Sequence, residues 1–312
     1  MDSRTPKKRF IHVAARTSKL FRYVALLIIT IVSMIFVWRH FVEILASGGI
    51  ADLPLRSLGW LIFSMLLALA TTALAGEMFA RFLGLRGLSV LGSVYLASQI
   101  SKYVPGRLWN LIFQKVYLPG NPSWSTVVAA NVKVFGLLLS AQLISCIVAL
   151  FLLNGWELAV LLLLAVTSCM PWLLILSSKR LLALLGLSNS TTALTASLGW
   201  RLGVVLVMFV LLSFTAWMAL YAGAFGLGMD ASTSLVFISM VAWLAGLASV
   251  LPAGLGVREA VYLALRPDFL VVPEAMTMAS LAIATRIWLL SVDVLVAAVG
   301  FSVLLAQRMR AK

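Results

Sequence analysis

Apolar runs of membrane-spanning length alternate along the chain with short clusters of basic, proline and glycine residues. Tyr23 to Leu45, Leu58 to Ala80, Trp124 to Leu153, Trp156 to Leu176, Leu198 to Phe225 and Glu274 to Leu305 are predicted to cross fully. Two further stretches are interrupted. Leu88 to Tyr103 gives only roughly 24 Å of helix before Pro105-Gly106, at about 1.5 Å per residue. Trp109 to Tyr117 resumes the pattern until Pro119-Gly120-Asn121-Pro122 breaks it again. Leu235 to Leu251 is cut by Pro252, Gly254 and Gly256 before the run continues from Gly256 to Leu265. Backbone groups freed in lipid need partners, so both interrupted stretches are predicted as re-entrant hairpins packed in protein or lining a wet cavity. The expected fold class is an all-α polytopic membrane protein, with about eight hydrophobic segments forming two inverted repeats, each with a re-entrant helical hairpin.

Charge sets the expected orientation. Arg4, Lys7, Lys8, Arg9, Arg16, Lys19 and Arg22 face a single acid, Asp2, so residues 1–22 are read as a basic cytoplasmic N-terminus. Residues 23–306 form one integral membrane domain, and residues 307–312 a basic cytoplasmic tail carrying Arg308, Arg310 and Lys312. The first run is too long for a signal-peptide core and is expected to stay as a helix. Eight full crossings would leave Lys102, Arg107, Lys115, Lys179 and Arg180 outside, which the positive-inside rule disfavours. Glu77 stands four residues before Arg81, the spacing of a helical ion pair.

The halves resemble each other. Ala97-Ser98 with Pro105-Gly106-Arg107 is mirrored by Ala248-Ser249 with Pro252-Ala253-Gly254 and Arg258. A long helix with an embedded cation follows each: Asn131-Val132-Lys133-Val134-Phe135 and Ala284-Thr285-Arg286-Ile287-Trp288. Repeat 1 is placed at about 23–153 and repeat 2 at about 156–306. Three crossings and one hairpin per repeat make the copies inverted, so the hairpins enter from opposite faces and meet near the midplane, a geometry of transporters.

Apolar residues make up 62% of the 312 and charged residues 11%, too few to give a water-soluble surface throughout. In a soluble protein the net charge of +14 would suggest nucleic acid; here it reads as topology signal, and no nucleic-acid partner is expected. Cys146 and Cys169 lie in apolar runs, and His12 and His40 form no HExxH motif, so no metal or other cofactor is expected. Lys133 and Arg286 sit inside predicted helices, where a charge costs at least about 2.5 to 3.5 kcal/mol, so they are expected to face the interior. With Arg107 and Arg258 at the hairpin turns they compose a cationic cavity. Gly254 and Gly256 let the backbone approach a ligand, and free N–H groups from Gly254 to Val257 at a helix start suit an anion. Acids are few. Glu259 follows Arg258, and Asp293 lies seven residues after Arg286 on the same helix face. In a purely structural use of these charges, Asp293 neutralises Arg286 and Glu259 caps Arg258.

Pro252-Ala253-Gly254-Leu255-Gly256-Val257-Arg258-Glu259-Ala260, between two long hydrophobic runs, resembles the signature of the lysylphosphatidylglycerol synthase transmembrane (flippase-like) family. Ser101-Lys102-Tyr103-Val104-Pro105-Gly106-Arg107 is similar to that family's first motif. Ala253 stands where the family commonly has glycine. No soluble aminoacyl-transferase domain follows Lys312, so the resemblance implies the membrane half alone, without synthase activity. It implies a translocase of the bacterial inner membrane that moves a lipid with an anionic headgroup, or one linked to polyprenyl phosphate, between leaflets. No Walker glycine-lysine motif provides for a nucleotide. Two other classes stay open: a non-transporting partner of a glycosyltransferase or lipid-synthesis enzyme, and a lipid-modifying enzyme using Glu259. Neither an acid pair nor a histidine accompanies Glu259, so enzymatic activity is not expected.

Overall fold

The computed structural model describes residues 55–84, 88–103, 108–157, 160, 196–248, 254, 256–265 and 278–310. Among them every regular element is helical: α1 (Leu58–Leu83), α2 (Leu88–Ser98), α3 (Trp109–Tyr117), α4 (Trp124–Leu153), α5 (Ala196–Met218), α6 (Met229–Ala248), α7 (Val257–Ala264) and α8 (Met278–Arg310). A 3-10 turn over Gln99–Tyr103 extends α2, and a π-helical segment over Ala219–Ala224 extends α5. Among the described residues, five stretches are long and apolar enough to cross a membrane: Leu58–Leu83, Trp124–Leu153, Leu202–Ala224, Met229–Ala248 and Ser280–Gln307. The basic N-terminus, the run from Tyr23 to Leu45, most of the run beginning at Trp156, and Arg107 lie outside the described residues.

Local chemistry accounts for the helix ends. Ser57 starts α1 by accepting from the Trp60 N–H at 3.4 Å, and Gly84, at φ 65°, closes it in the left-handed conformation. Ser123 caps α4 in the same way, accepting from the Thr126 N–H at 3.2 Å. The Glu77–Arg81 pair forms as expected, at 2.9 Å. Helix α6 departs from the expectation by starting at Met229 rather than Leu235. The polar run Ser232-Thr233-Ser234 reads as loop in sequence, yet these hydroxyls turn inward. Thr233 donates to the Met229 carbonyl and Ser234 to the Asp230 carbonyl, both at 2.9 Å, so the helix absorbs them. Helix α8 likewise runs past Leu305 to Arg310.

Both interrupted stretches double back. Gln114 of α3 donates to the Ser98 hydroxyl of α2 at 3.0 Å, and Tyr262 of α7 meets Ser239 of α6 at 2.7 Å. Helix α8 packs along α2 and its 3-10 turn, while α6 packs against α4 and α7. The α2–α8 crossing is nearly backbone on backbone: a Cβ built on Gly300 would stand 2.4 Å from the Ala97 nitrogen and 2.8 Å from the Ser93 carbonyl oxygen. Small residues at such crossings are how helices approach closely without a water-driven apolar effect. Outward faces are apolar. Leu143, Ile147 and Leu150 on α4, and Val204, Met208 and Leu211 on α5, are exposed at helical spacing, the reverse of a water-soluble bundle.

Candidate functional site

The long helix α8 passes both doubled-back segments, and its buried polar residues reach one after the other. Asp293, 7% exposed, is held by the first: its Oδ1 accepts from Lys102 Nζ at 2.7 Å and its Oδ2 from the Tyr103 hydroxyl at 2.5 Å. Arg286, one face-repeat earlier, turns to the second, with Nε 3.5 Å from Glu259 Oε1. The purely structural use of these charges left out Lys102 and Tyr103, which hold both oxygens of Asp293. A spacing of seven puts Arg286 and Asp293 on one face and lets each side chain reach a different neighbouring element. Glu259, set against Arg258 in that reading, also reaches Arg286. Between these two residues, Trp288 fastens α8 to α1 by donating from Nε1 to Ser64 Oγ at 2.9 Å.

Arg258 stands in the first turn of α7, and its side chain lies against Gly246 of α6. A Cβ on Gly246 would fall 2.5 Å from its Nε, and one on Gly254 would fall 2.6 Å from the Gly246 Cα, so the turn closes only with glycine at both positions. Gly254 and Gly256 take φ values of 69° and 76°, the left-handed region that side chains disfavour. Gly256 is the N-terminal cap of α7, with no side chain satisfying the first N–H groups, and Glu259 occupies the first turn. Arg258 Nε and Glu259 Oε2 are buried and make no hydrogen bond among the described residues.

Above the arginines lies a four-hydroxyl knot. The Tyr221 hydroxyl stands 2.7 Å from Ser239, 2.8 Å from Tyr262 and 3.0 Å from Thr285, joining α5, α6, α7 and α8. Tyr221 is placed by the π-helical segment, whose wider turn shifts the side-chain register; such segments recur at functional sites. Trp217, Ser239, Trp243, Arg258, Tyr262 and Arg286 are among the residues lining a small cavity here, whose volume is about 20 Å³. That space admits about one water molecule.

No family model matches this chain, and no curated protein or solved structure matches it either. The family resemblance therefore rests on the motif residues alone. Of the candidate residues, Arg258, Glu259 and Arg286 line one cavity, with Gly254 and Gly256 shaping its bend. Asp293 lies on the same helix face, in the neighbouring ion pair. Lys133 does not line the cavity: it is half-buried on α4, its ammonium 5.7 Å from the centre of the Phe82 ring. Lys133 is therefore not joined to the arginine pair, and Arg107 lies outside the described residues. Among the described residues lining the cavity, the charged side chains are Arg258, Arg286 and Glu259, while Asp293 is held by Lys102 and Tyr103.

Tyr221, Ser239, Tyr262 and Thr285 were not expected as site residues, and hydroxyls scattered through apolar runs gave no cue beyond their polarity. Lys102 and Tyr103 did carry a signal, since both stand in the Ser101-to-Arg107 motif.

Proposed function

We propose that this chain is a lipid translocase, moving a lipid with an anionic headgroup, or one linked to polyprenyl phosphate, between the leaflets of a bacterial inner membrane. The observation that carries this reading is that two arginines, Arg258 and the buried Arg286, line one small cavity together, with Glu259 Oε1 3.5 Å from Arg286 Nε. Two guanidiniums converging on one space away from bulk water suit a phosphate, whose oxygens accept several charged hydrogen bonds. Glu259 then acts as a resident counter-ion, loosely held at 3.5 Å, that gives way when the headgroup arrives. With room for about one water, the cavity opens to a headgroup only when α6 and α7 part from α8. Alternating exposure follows from that parting, with the bend glycines as the hinge.

The inverted-repeat arrangement belongs to this proposal. Its support is the crossed packing, in which α2 of the first half lies on α8 of the second and α6 of the second lies on α4 of the first. With cytoplasmic termini, cysteines placed at Gly84 and Gly228 in a background lacking Cys146 and Cys169 label from the cytoplasmic and outer sides respectively. Labelling of both from one side rejects that topology.

The transport test compares fluorescent phosphatidylglycerol with phosphatidylcholine in proteoliposomes. The double variant Arg286→Gln with Glu259→Gln removes the cation together with its partner, which spares the fold an unpaired buried acid. Transfer of the anionic lipid is expected to fall at least about tenfold, within the roughly 1.5 to 3 kcal/mol of a charged hydrogen bond. An undiminished rate makes the charges structural.

A further inference from the structure

The first half contains a second, larger cavity of opposite character. It has a volume of about 310 Å³ and is lined by Tyr95 of α2, Asn110 and Leu111 of α3, and Asn131, Phe135 and Leu138 of α4, among others. No lining residue carries a charge at neutral pH. The polar groups are set from behind by Gln114, which is fully buried. Its Nε2 donates to Ser98 Oγ at 3.0 Å and to Asn110 Oδ1 at 2.7 Å, while its Oε1 accepts from Asn131 Nδ2 at 2.6 Å. Asn131 Nδ2 donates a second bond to the Val127 carbonyl, at 2.9 Å. Gln114 is thereby saturated on the inner side. Each asparagine is left with one unused edge: Asn110 Nδ2 as donor and Asn131 Oδ1 as acceptor, neither with a hydrogen-bond partner among the described residues.

A paired donor and acceptor on an uncharged wall match hydroxyl groups, each of which both donates and accepts. An ion would pay a desolvation cost that nothing here repays. The volume sits at the lower end of small-molecule sites, about 300 to 1,000 Å³, and suits one sugar ring. Tyr95 and Phe135 add aromatic surface for the ring's C–H faces, and Phe135 is itself 43% exposed, placing the opening beside an outward apolar face. We propose that this cleft binds a neutral polyhydroxyl group of about one hexose, with Asn110 donating to one hydroxyl and Asn131 accepting from another. The proposal is independent of the translocase reading, because it concerns binding in the other half of the molecule and needs no movement of lipid.

The test uses the full chain purified in a polyoxyethylene detergent free of sugar. Native mass spectrometry measures binding of monoglucosyl diacylglycerol, of the same diacylglycerol without glucose, and of methyl glucoside. Retention of the glucosyl lipid with no competition by methyl glucoside supports the cleft as a glycolipid site; retention of methyl glucoside supports it as a site for free sugar. Asn110→Ala and Asn131→Ala should each weaken the bound glycoside by about tenfold, the loss of one good hydrogen bond. Because both changes disturb Gln114, Leu138→Trp serves as a second variant, filling the cleft with the amides intact, and should abolish binding. The proposal is overturned if neither glycoside binds, if diacylglycerol binds equally well, or if Leu138→Trp binds as the unmodified protein does. Phosphatidylglycerol binding, assayed alongside with Arg286→Gln/Glu259→Gln, reports separately on the arginine cavity.

Discussion

The bend after α2 and the bend before α7 both deliver charged side chains to α8, with different results. The first brings Lys102 and Tyr103, which together occupy both oxygens of Asp293. The second brings Glu259 to Arg286, and Arg258 Nε and Glu259 Oε2 make no hydrogen bond among the described residues. A closed set of hydrogen bonds fixes two elements together, whereas an open set invites a ligand. The same helix thus carries a fastener at one level and a candidate site at another. The cavities differ in the same sense, one tight and cationic, the other wider and neutral.

The harshest way to break the contrast is to part α8 from α2. Gly300→Leu puts a side chain where even a Cβ would overlap the Ala97 backbone. Overpacking typically costs about 1 to 3 kcal/mol, and a rigid backbone neighbour pushes this crossing beyond that range. Loss of the monodisperse species on size-exclusion chromatography is expected, while Gly136→Leu, with nothing within 4 Å of its Cβ position, behaves as the unmodified protein. A well-folded Gly300→Leu means that the crossing is not what holds the halves.

A smaller effect separates fastener from site directly. Asp293→Asn keeps a partner for Tyr103 but strips Lys102 of its counter-charge. Breaking a fully buried pair costs roughly 3 to 5 kcal/mol; the Lys102 side chain is 39% exposed, so solvent screening brings this to about 2 kcal/mol. The thermal midpoint should fall further for Asp293→Asn than for Glu259→Gln. The opposite order would exchange the two roles.

Least is expected of Lys133. Its interaction with Phe82 is worth about 0.5 to 1 kcal/mol, offset by relief of a half-buried charge, so Lys133→Gln should shift neither stability nor anionic-lipid transfer by more than about twofold. If transfer collapses as in the Arg286 double variant, Lys133 lies on the headgroup's path and the first half is not neutral to the substrate.

Much of the scaffold was legible because membrane helices announce themselves by length and apolarity. Trp124–Leu153 and Trp109–Tyr117 begin and end where the pattern placed them, and the Glu77–Arg81 pair follows from helical spacing alone. The start of α6 was not legible, since Ser232, Thr233 and Ser234 look like loop until burial turns their hydroxyls onto carbonyls within the helix. Arg258, Glu259 and Arg286 stood out as candidates because charges in apolar surroundings are costly wherever they end up, and the structure gathers all three at one cavity. Their partners did not stand out, because a pairing depends on which helix lies opposite.

By itself, then, the amino-acid sequence determined that the described apolar stretches are helical, where most of them end, and which few charged side chains stand in apolar surroundings. These follow from short-range terms: apolar length, the conformations open to proline and glycine, and the cost of a charge away from water. Tertiary structure alone decided that Asp293 goes to Lys102 and Tyr103, that Arg286 goes to Glu259, and that Tyr221 ties four helices through its hydroxyl. Those partners stand up to 191 residues apart in the chain. Only the packing of α8 against both doubled-back segments brings them within hydrogen-bonding distance, and that packing is set by close crossings such as the one at Gly300, where the shape of both helices matters at once.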